Sequence, residues 1–163
     1  MIRAAILLVS VCFVFGLPPG SALLHGQGKP KEDKRIKQLQ NEQKKLARTN
    51  NPESRAKSLM KIAEITLSYL TEAATANDFA KMKSYVEQYR QAVTDARDTM
   101  MRSGLDPHKK SGGYKAVEIA LRRQIRNLQD IARLLTVDER EPIDETIDIA
   151  MKIRDEFIHA LFG

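Results

Sequence analysis

The sequence contains a single cysteine, Cys12, and no tryptophan. Cys12 lies inside an apolar N-terminal run, so a chain without that run has no thiol for a disulfide bond, a metal site or a nucleophile. Val11 precedes it, whereas the lipidated cysteine of a bacterial lipoprotein follows a small residue at the end of such a run. We therefore expect no lipid anchor, and a domain of about 140 residues stabilised by its own apolar core.

Residues 1–22 have the three parts of a bacterial secretory signal. A basic start ending at Arg3 precedes an uncharged apolar run over residues 4–17, and small residues ending at Ala22 provide a cleavage site. Because a membrane-spanning helix needs roughly 20 apolar residues, this run is too short for a comfortable span. The pattern predicts a cleavable signal, a flexible linker over residues 23–30, and a periplasmic or secreted protein. A retained N-terminal anchor is the alternative.

Apart from Arg3 in the expected signal, the excess of basic residues is confined to one segment. The chain has 27 Lys and Arg against 21 Asp and Glu, a net charge of +6. Residues 29–48 hold eight bases and three acids, whereas bases and acids balance from Thr49 onward. Such a segment can bind an anionic surface, and the alternative is a solvated helix face without a partner. The six candidate contact residues are Lys34, Arg35, Lys37, Lys44, Lys45 and Arg48.

No stretch of the chain has the alternation of apolar and polar residues that a half-buried strand shows. Apolar residues instead recur every three or four positions, as in amphipathic helices. The predicted helices span residues 31–49, 52–76, 78–103, 114–135 and 142–162, with 137 as an alternative start for the last. The sequence thus predicts an all-α fold, an antiparallel up-and-down helical bundle in one domain over residues 31–163. A basic N-terminal helix accompanies four long core helices within residues 52–162.

Residues with capping preferences mark several ends of these helices. Asn51 precedes Pro52, and Asp78 follows Asn77, so Asn51 and Asp78 are expected to cap the second and third helices. Gly104 is expected to end the third helix in a left-handed conformation. Thr136 and Glu139 have the spacing of a capping box before the last helix.

The third and fourth helices each carry an apolar seam with alternating spacings of three and four residues. Such a seam packs against a partner helix, within one chain or between two copies, so a homo-oligomer stays open. Gln124 is the one polar seam residue, and we expect it to be buried and hydrogen-bonded. The seams comprise Phe79, Met82, Val86, Tyr89, Val93, Ala96 and Met100, and then Tyr114, Val117, Leu121, Gln124, Leu128, Ile131 and Leu135.

The first, fourth and fifth helices each have a distinctive composition. The first has a narrow apolar stripe of Ile36, Leu39, Leu46 and Ala47, so it should bury little and could detach. The fourth helix is mainly basic and the fifth mainly acidic, which predicts that the two are neighbours. The stripe predicted for the fifth contains Ile143, Ile147, Ala150, Met151, Phe157, Ile158 and Leu161.

Signatures of catalysis and of metal binding are scarce. The chain has no Gly-x-Ser-x-Gly nucleophile motif. Glu156 and His159 have the spacing of a di-iron ligand pair, but such a site needs two pairs and further carboxylates. A haem held by one methionine and His159 is formally available from Met60, Met82 and Met100, which are more typical of core packing. We expect no catalytic residue, cofactor or metal.

One loop has the composition of a weak anion site. It precedes the fourth helix, where free backbone N–H groups and flexible glycines can surround a phosphate or sulfate. It lacks the spacing of a nucleotide-binding P-loop. The loop residues are Lys109, Lys110, Ser111, Gly112 and Gly113.

These features favour an exported, non-enzymatic helical bundle that contacts an unidentified protein or an anionic component of the cell envelope. Export makes nucleic acid an unsuitable partner. Two other classes stay open: a carrier of a small ligand, metal or haem in the bundle interior, and an envelope chaperone or stress protein. A large exposed apolar patch would favour the chaperone.

Overall fold

The computed structural model describes residues 33–163, so the expected signal, the linker and His25 lie outside the described residues. Within this range every regular element is an α-helix, which confirms the all-α prediction. The five helices are α1 (Lys34–Arg48), α2 (Pro52–Thr75), α3 (Phe79–Met101), α4 (Gly112–Ala132) and α5 (Glu141–Phe162). None of these helices combines the length and the apolar character needed to span a membrane.

Local side-chain chemistry sets the starts of α2 and α3 as expected. The Asn51 side chain accepts a hydrogen bond from the Ser54 backbone N–H at 2.9 Å, and Asp78 accepts one from Lys81 at 3.1 Å. These bonds satisfy N–H groups that have no partner inside the first turn of a helix. After α3, Gly104 adopts φ +68°, the left-handed conformation predicted for it.

The connection between α4 and α5 is longer than the sequence suggested. Glu139 accepts a hydrogen bond from the Thr136 N–H at 3.1 Å, but this bond closes a separate turn ahead of α5. The helix itself starts at Glu141, so the alternative start at residue 137 is wrong.

The helices form a bundle in which α2, α3 and α4 each have three neighbouring helices. α2 contacts α1, α3 and α4, while α5 packs on α3 and α4, and α3 also meets α4. Among residues 33–163, the backbone of α1 comes close to that of α2 alone, and the backbones of α2 and α5 are not close to each other. The apolar residues that surround much of α2 are explained by these contacts on several sides.

The predicted seams form the core, with differences at their ends. In α3 the seam is buried from Met82 to Met100, whereas Phe79 in the first turn is exposed. In α4 the seam is buried from Tyr114 to Ile131. In α5, Met151 is 45% exposed, and Ile153 is buried although the sequence analysis did not include it. The buried line of α5 therefore runs along a face slightly rotated from the predicted one.

The stripe predicted for α1 is only half right. Ile36 is 45% exposed and Ala47 is exposed, while Leu39 and Leu46 are half-buried. Half-buried residues recur at intervals of three or four along α1, and two of them are charged: Arg35, Leu39, Glu42, Leu46 and Thr49. Charged groups thus occupy contact positions that an apolar residue was expected to fill, and α1 contains no buried residue.

Gly113 allows the start of α4 to approach α2 and α3 closely. A Cβ atom at this position would lie 2.6 Å from Cε of Met100 and 2.8 Å from Cγ of Glu53. Both distances are shorter than non-bonded carbon atoms tolerate. The missing side chain therefore helps to fix where α4 begins within the bundle.

Candidate functional site

The exposed side of α1 carries most of the predicted contact residues. Five of the six cations are exposed on this short helix: Lys34, Lys37, Lys44, Lys45 and Arg48. A helix that displays cations while its contact side packs on a neighbour presents a fixed positive surface.

Arg35, the sixth predicted cation, fastens the start of α1 to α2. Its guanidinium lies 2.6 Å from a carboxylate oxygen of Asp33 and 2.6 Å from one of Glu72. It also lies over the ring of Tyr69, 4.3 Å from the centroid, and that ring stacks on Tyr85. Hydrogen bonds from Arg35 lower the pKa of Asp33 to about 2. Arg35 is therefore a docking residue and is not available to a partner in the way the sequence suggested.

Arg55 of α2 holds the other end of α1. Its guanidinium donates hydrogen bonds to the backbone carbonyls of Leu46 at 3.0 Å and Thr49 at 3.2 Å. Carbonyls in the last turn of a helix have no partner within the helix, and a cation there also complements the helix dipole. Both ends of α1 are thus tied to α2 by arginine side chains.

Between these two attachments, α1 and α2 enclose an open groove, referred to below as the α1–α2 groove. It consists of adjoining depressions of about 620 and 450 Å³ that share four residues, Glu42, Lys45, Arg48 and Lys61. Five cations line it, three from α1 and two from α2: Lys44, Lys45, Arg48, Lys57 and Lys61.

Glu42 is the one carboxylate that lines the α1–α2 groove, and it is held in place from both helices. Lys45 lies 2.6 Å from one of its oxygens, and the Ser58 hydroxyl donates to the other at 3.0 Å. Burial favours the neutral form of Glu42, but the hydrogen bonds from Lys45 and Ser58 outweigh it and lower the pKa. Glu42 therefore stays ionised and offsets one of the surrounding positive charges.

Lys57 and Lys61 are site residues that the sequence analysis missed. They lie one turn apart on α2 and are both exposed, so periodicity placed them on a polar face without indicating a neighbour. Only the packing of α1 beside α2 brings them next to Lys45 and Arg48. The sequence carried no signal for this beyond their position around Ser58, a residue that the structure buries.

The loop before α4 has more carboxylate groups near it than the sequence suggested. Lys109 lies 3.7 Å from a carboxylate oxygen of Asp106, and Lys110 is exposed. Across the loop, Oε2 of Glu53 lies 3.6 Å from the position of a Cβ atom on Gly112. Ser111 makes no side-chain cap bond to α4. An acid on each side reduces the attraction of this loop for an anion.

An ion pair joins α4 to α5, but its acid lies on the mainly basic helix and its base on the mainly acidic one. The two helices do pack together, but the ion pair between them places the acid, Glu118, on α4 and the base, Arg154, on α5, at 2.9 Å. The acids of α5 instead reach α3, where Glu145 pairs with Arg90 and Glu156 pairs with Arg97.

The residues considered as metal or haem ligands differ in their exposure and in their partners. Glu156 is engaged by Arg97 at 2.7 Å, and His159 is exposed in the last turn of α5. The methionines considered for haem, Met60, Met82 and Met100, are buried in the core. Over residues 33–163, no three His, Cys, Asp or Glu side chains form a group that could hold a metal ion.

Large apolar side chains are exposed on α1, α3, α4, α5 and the connection between α4 and α5. They comprise Ile36, Phe79, Ile119, Leu134, Val137, Met151 and Phe162. Single exposed apolar residues are ordinary on protein surfaces.

Comparison of the chain with protein-family models, with curated proteins and with solved structures gives no match.

Proposed function

We propose that this protein is an exported, non-enzymatic helical bundle that contacts an anionic component of the cell envelope through the basic surface of α1. The observation that carries the proposal is the exposure of five cations on one short helix that is attached to the bundle by its opposite side. From Thr49 onward the charges of the chain balance, so this surface is where most of its net positive charge is concentrated.

Two finer features belong to the same proposal. The first is a cleavable signal over residues 1–22, which would deliver the bundle to the envelope. The second is an up-and-down course in which successive helices reverse direction. Supporting contacts join an early residue of one helix to a late residue of the next, as in Arg35 with Glu72, Tyr114 with Phe157 and Glu118 with Arg154. Others join a late residue to an early one, as in Leu46 with Arg55 and Met100 with Tyr114.

Co-sedimentation with lipid vesicles tests the contact. The protein is expected to bind vesicles that contain phosphatidylglycerol and not vesicles of phosphatidylcholine alone, and binding should weaken as salt is raised. Exchanging the five exposed cations of α1 for glutamine should abolish it. The substituted residues are Lys34, Lys37, Lys44, Lys45 and Arg48.

A matched variant removes the same charge from the other helices. Its five positions are exposed and lie on α3, α4, α5 and the residue after α4: Lys83, Lys115, Arg126, Arg133 and Lys152. This control should lose far less vesicle binding than the α1 variant. Equal losses of vesicle binding in the two variants would mean that binding depends only on the net charge of the protein. Undiminished binding by the α1 variant would contradict the proposal.

A further inference from the structure

The α1–α2 groove holds positive charges that no carboxylate of the described part of the chain pairs with. Lys45 pairs with Glu42 at 2.6 Å, and Lys61 pairs with Glu64 at 2.8 Å. Lys44, Arg48 and Lys57 form no ion pair within residues 33–163. Cations gathered along a groove repel one another, and a bound anion would relieve that repulsion.

The walls of the groove are fixed, which separates it from a mobile basic tail. Arg35 attaches α1 to α2 beyond one end of the groove, and Arg55 attaches it beside the other end, at Leu46 and Thr49. The hydrogen bond between Ser58 and Glu42 crosses it in the middle. The backbone positions that carry these cations are therefore set beside a common space before any ligand arrives, which lowers the entropic cost of binding.

The shape and chemistry of the groove suit phosphate groups on a surface. Lysine ammonium groups are compact point charges that bind phosphate oxygens, and an arginine can donate two parallel hydrogen bonds to them. The five cations exceed the charge of one phosphate diester, even after Glu42 is subtracted. An open groove edged by several cations matches a layer of headgroups better than one enclosed small molecule.

We propose that the α1–α2 groove binds the phosphate groups of anionic phospholipid headgroups, and that Lys57 and Lys61 of α2 are part of the binding surface. This inference rests on the proposed contact through α1 and makes it more specific. The bound form keeps α1 docked on α2, in contrast to a basic helix that detaches in order to bind.

Three double variants of the full chain separate the contributions of the two helices. One changes Lys57 and Lys61 of α2 to glutamine, the second changes Lys44 and Lys45 of α1, and the third changes the exposed Lys83 and Lys152 as a control. Each basic residue near an anionic bilayer contributes a roughly fivefold gain in partitioning. We therefore expect each groove pair to weaken binding to phosphatidylglycerol vesicles about 30-fold, and the control to weaken it by less than about fivefold.

The outcomes distinguish this inference from the proposed function. If the α1 pair weakens binding while the α2 pair behaves like the control, the shared groove is wrong and the contact through α1 stands. If neither groove pair weakens binding more than the control, the groove is wrong, and the five-residue variant of α1 then decides whether the contact through α1 stands. Far-UV circular dichroism with thermal melting is expected to show all three variants folded as the parent, because every exchanged side chain is exposed.

Soluble anions distinguish a lipid surface from other sources of negative charge. Titration with inorganic phosphate or glycerol phosphate is expected to give only millimolar binding, since one phosphate engages few of the cations. Micromolar binding of inorganic phosphate, or binding of polyglutamate in the absence of vesicle binding, would overturn the assignment to lipid headgroups.

Discussion

Gln124 is a polar residue with no exposed surface in the seam of α4. Its amide nitrogen donates to the Met60 carbonyl at 3.0 Å, and its amide oxygen accepts from the Tyr89 hydroxyl at 3.2 Å. The prediction that it is buried and hydrogen-bonded is therefore confirmed. One side chain joins α2, α3 and α4, and burial raises the pKa of Tyr89, so the phenol stays a neutral donor.

Replacing Gln124 with leucine is expected to lower the free energy of unfolding by about 1–3 kcal/mol, because the Tyr89 hydroxyl would remain buried without a partner. Denaturation in urea measures the change. Adding Tyr89→Phe should recover part of the loss by removing that hydroxyl. A single variant as stable as the parent would instead favour a role of Gln124 in selecting the register of the helices.

Glu118 is a second polar residue in the packed part of α4, at 7% exposure. Its carboxylate lies 2.7 Å from Arg122 and 2.9 Å from Arg154. The hydrogen bond from Arg122 lowers its pKa most, burial opposes this, and Arg154 lowers the pKa further. The ionised form is therefore the one that the folded protein stabilises.

The pH dependence of stability follows from that direction. Since the pKa of Glu118 is lower in the folded than in the unfolded chain, its contribution is complete above the ordinary value of 4.5 and is lost as pH falls through the folded value. Glu118→Gln should be less stable at pH 7 and should lose less stability on acidification below about pH 4.5. Urea denaturation from pH 7 to pH 3 measures both. Glu87→Gln, at an exposed residue, serves as control, and identical pH profiles for the two variants would contradict the assignment.

At the scale of elements, α1 is the helix with the weakest attachment. It has one neighbouring helix and no buried residue, and polar contacts at Arg35, Glu42 and Arg55 supply much of its attachment. The core helices, in contrast, bury continuous apolar lines. Local opening free energies follow such differences in burial.

We expect the backbone amides of α1 to exchange with deuterium before those of α2 to α5, because α1 can open without exposing the core. Exchange measured by mass spectrometry on peptides of each helix tests this. Arg35→Gln should accelerate exchange in the first half of α1 and leave α4 unchanged. Protection of α1 equal to that of α3 would mean that its docking is stronger than its contacts indicate.

At the scale of the whole molecule, one chain satisfies the apolar seams of α3 and α4. Their central residues, from Val86 to Met100 and from Val117 to Ile131, are buried without a second copy. A coiled coil between two chains would need those seams to be open. The bundle therefore has no requirement for a partner to complete its core.

Light scattering on the protein starting at Leu23 is expected to give the mass of one chain at micromolar concentration, since the seams are already occupied. Measurement at low and high salt controls for charge-driven association. A stable dimer at both salt concentrations would show that another surface, such as one containing the exposed Ile119 or Met151, mediates pairing.

The sequence by itself determined the helices, several of their caps and most of the core. Asn51, Asp78 and Gly104 act on backbone groups within a few residues, so their roles are independent of distant parts of the chain. The seam positions follow from the helical period alone. The partial failure at Ile36 arose because charged residues took the contact positions of α1.

The tertiary structure alone decided which charges meet. Glu118 pairs with Arg154, and Lys57 faces the residues of α1. Neither neighbour could be inferred from the positions of these residues in the sequence or from the sign of their charges. A partly exposed ion pair such as Arg90 with Glu145 contributes only about 0–1 kcal/mol, so such charges follow the packing of apolar faces and do not direct it. The candidate site also depends on the tertiary structure, because a groove between two helices exists only after packing has brought both of them together.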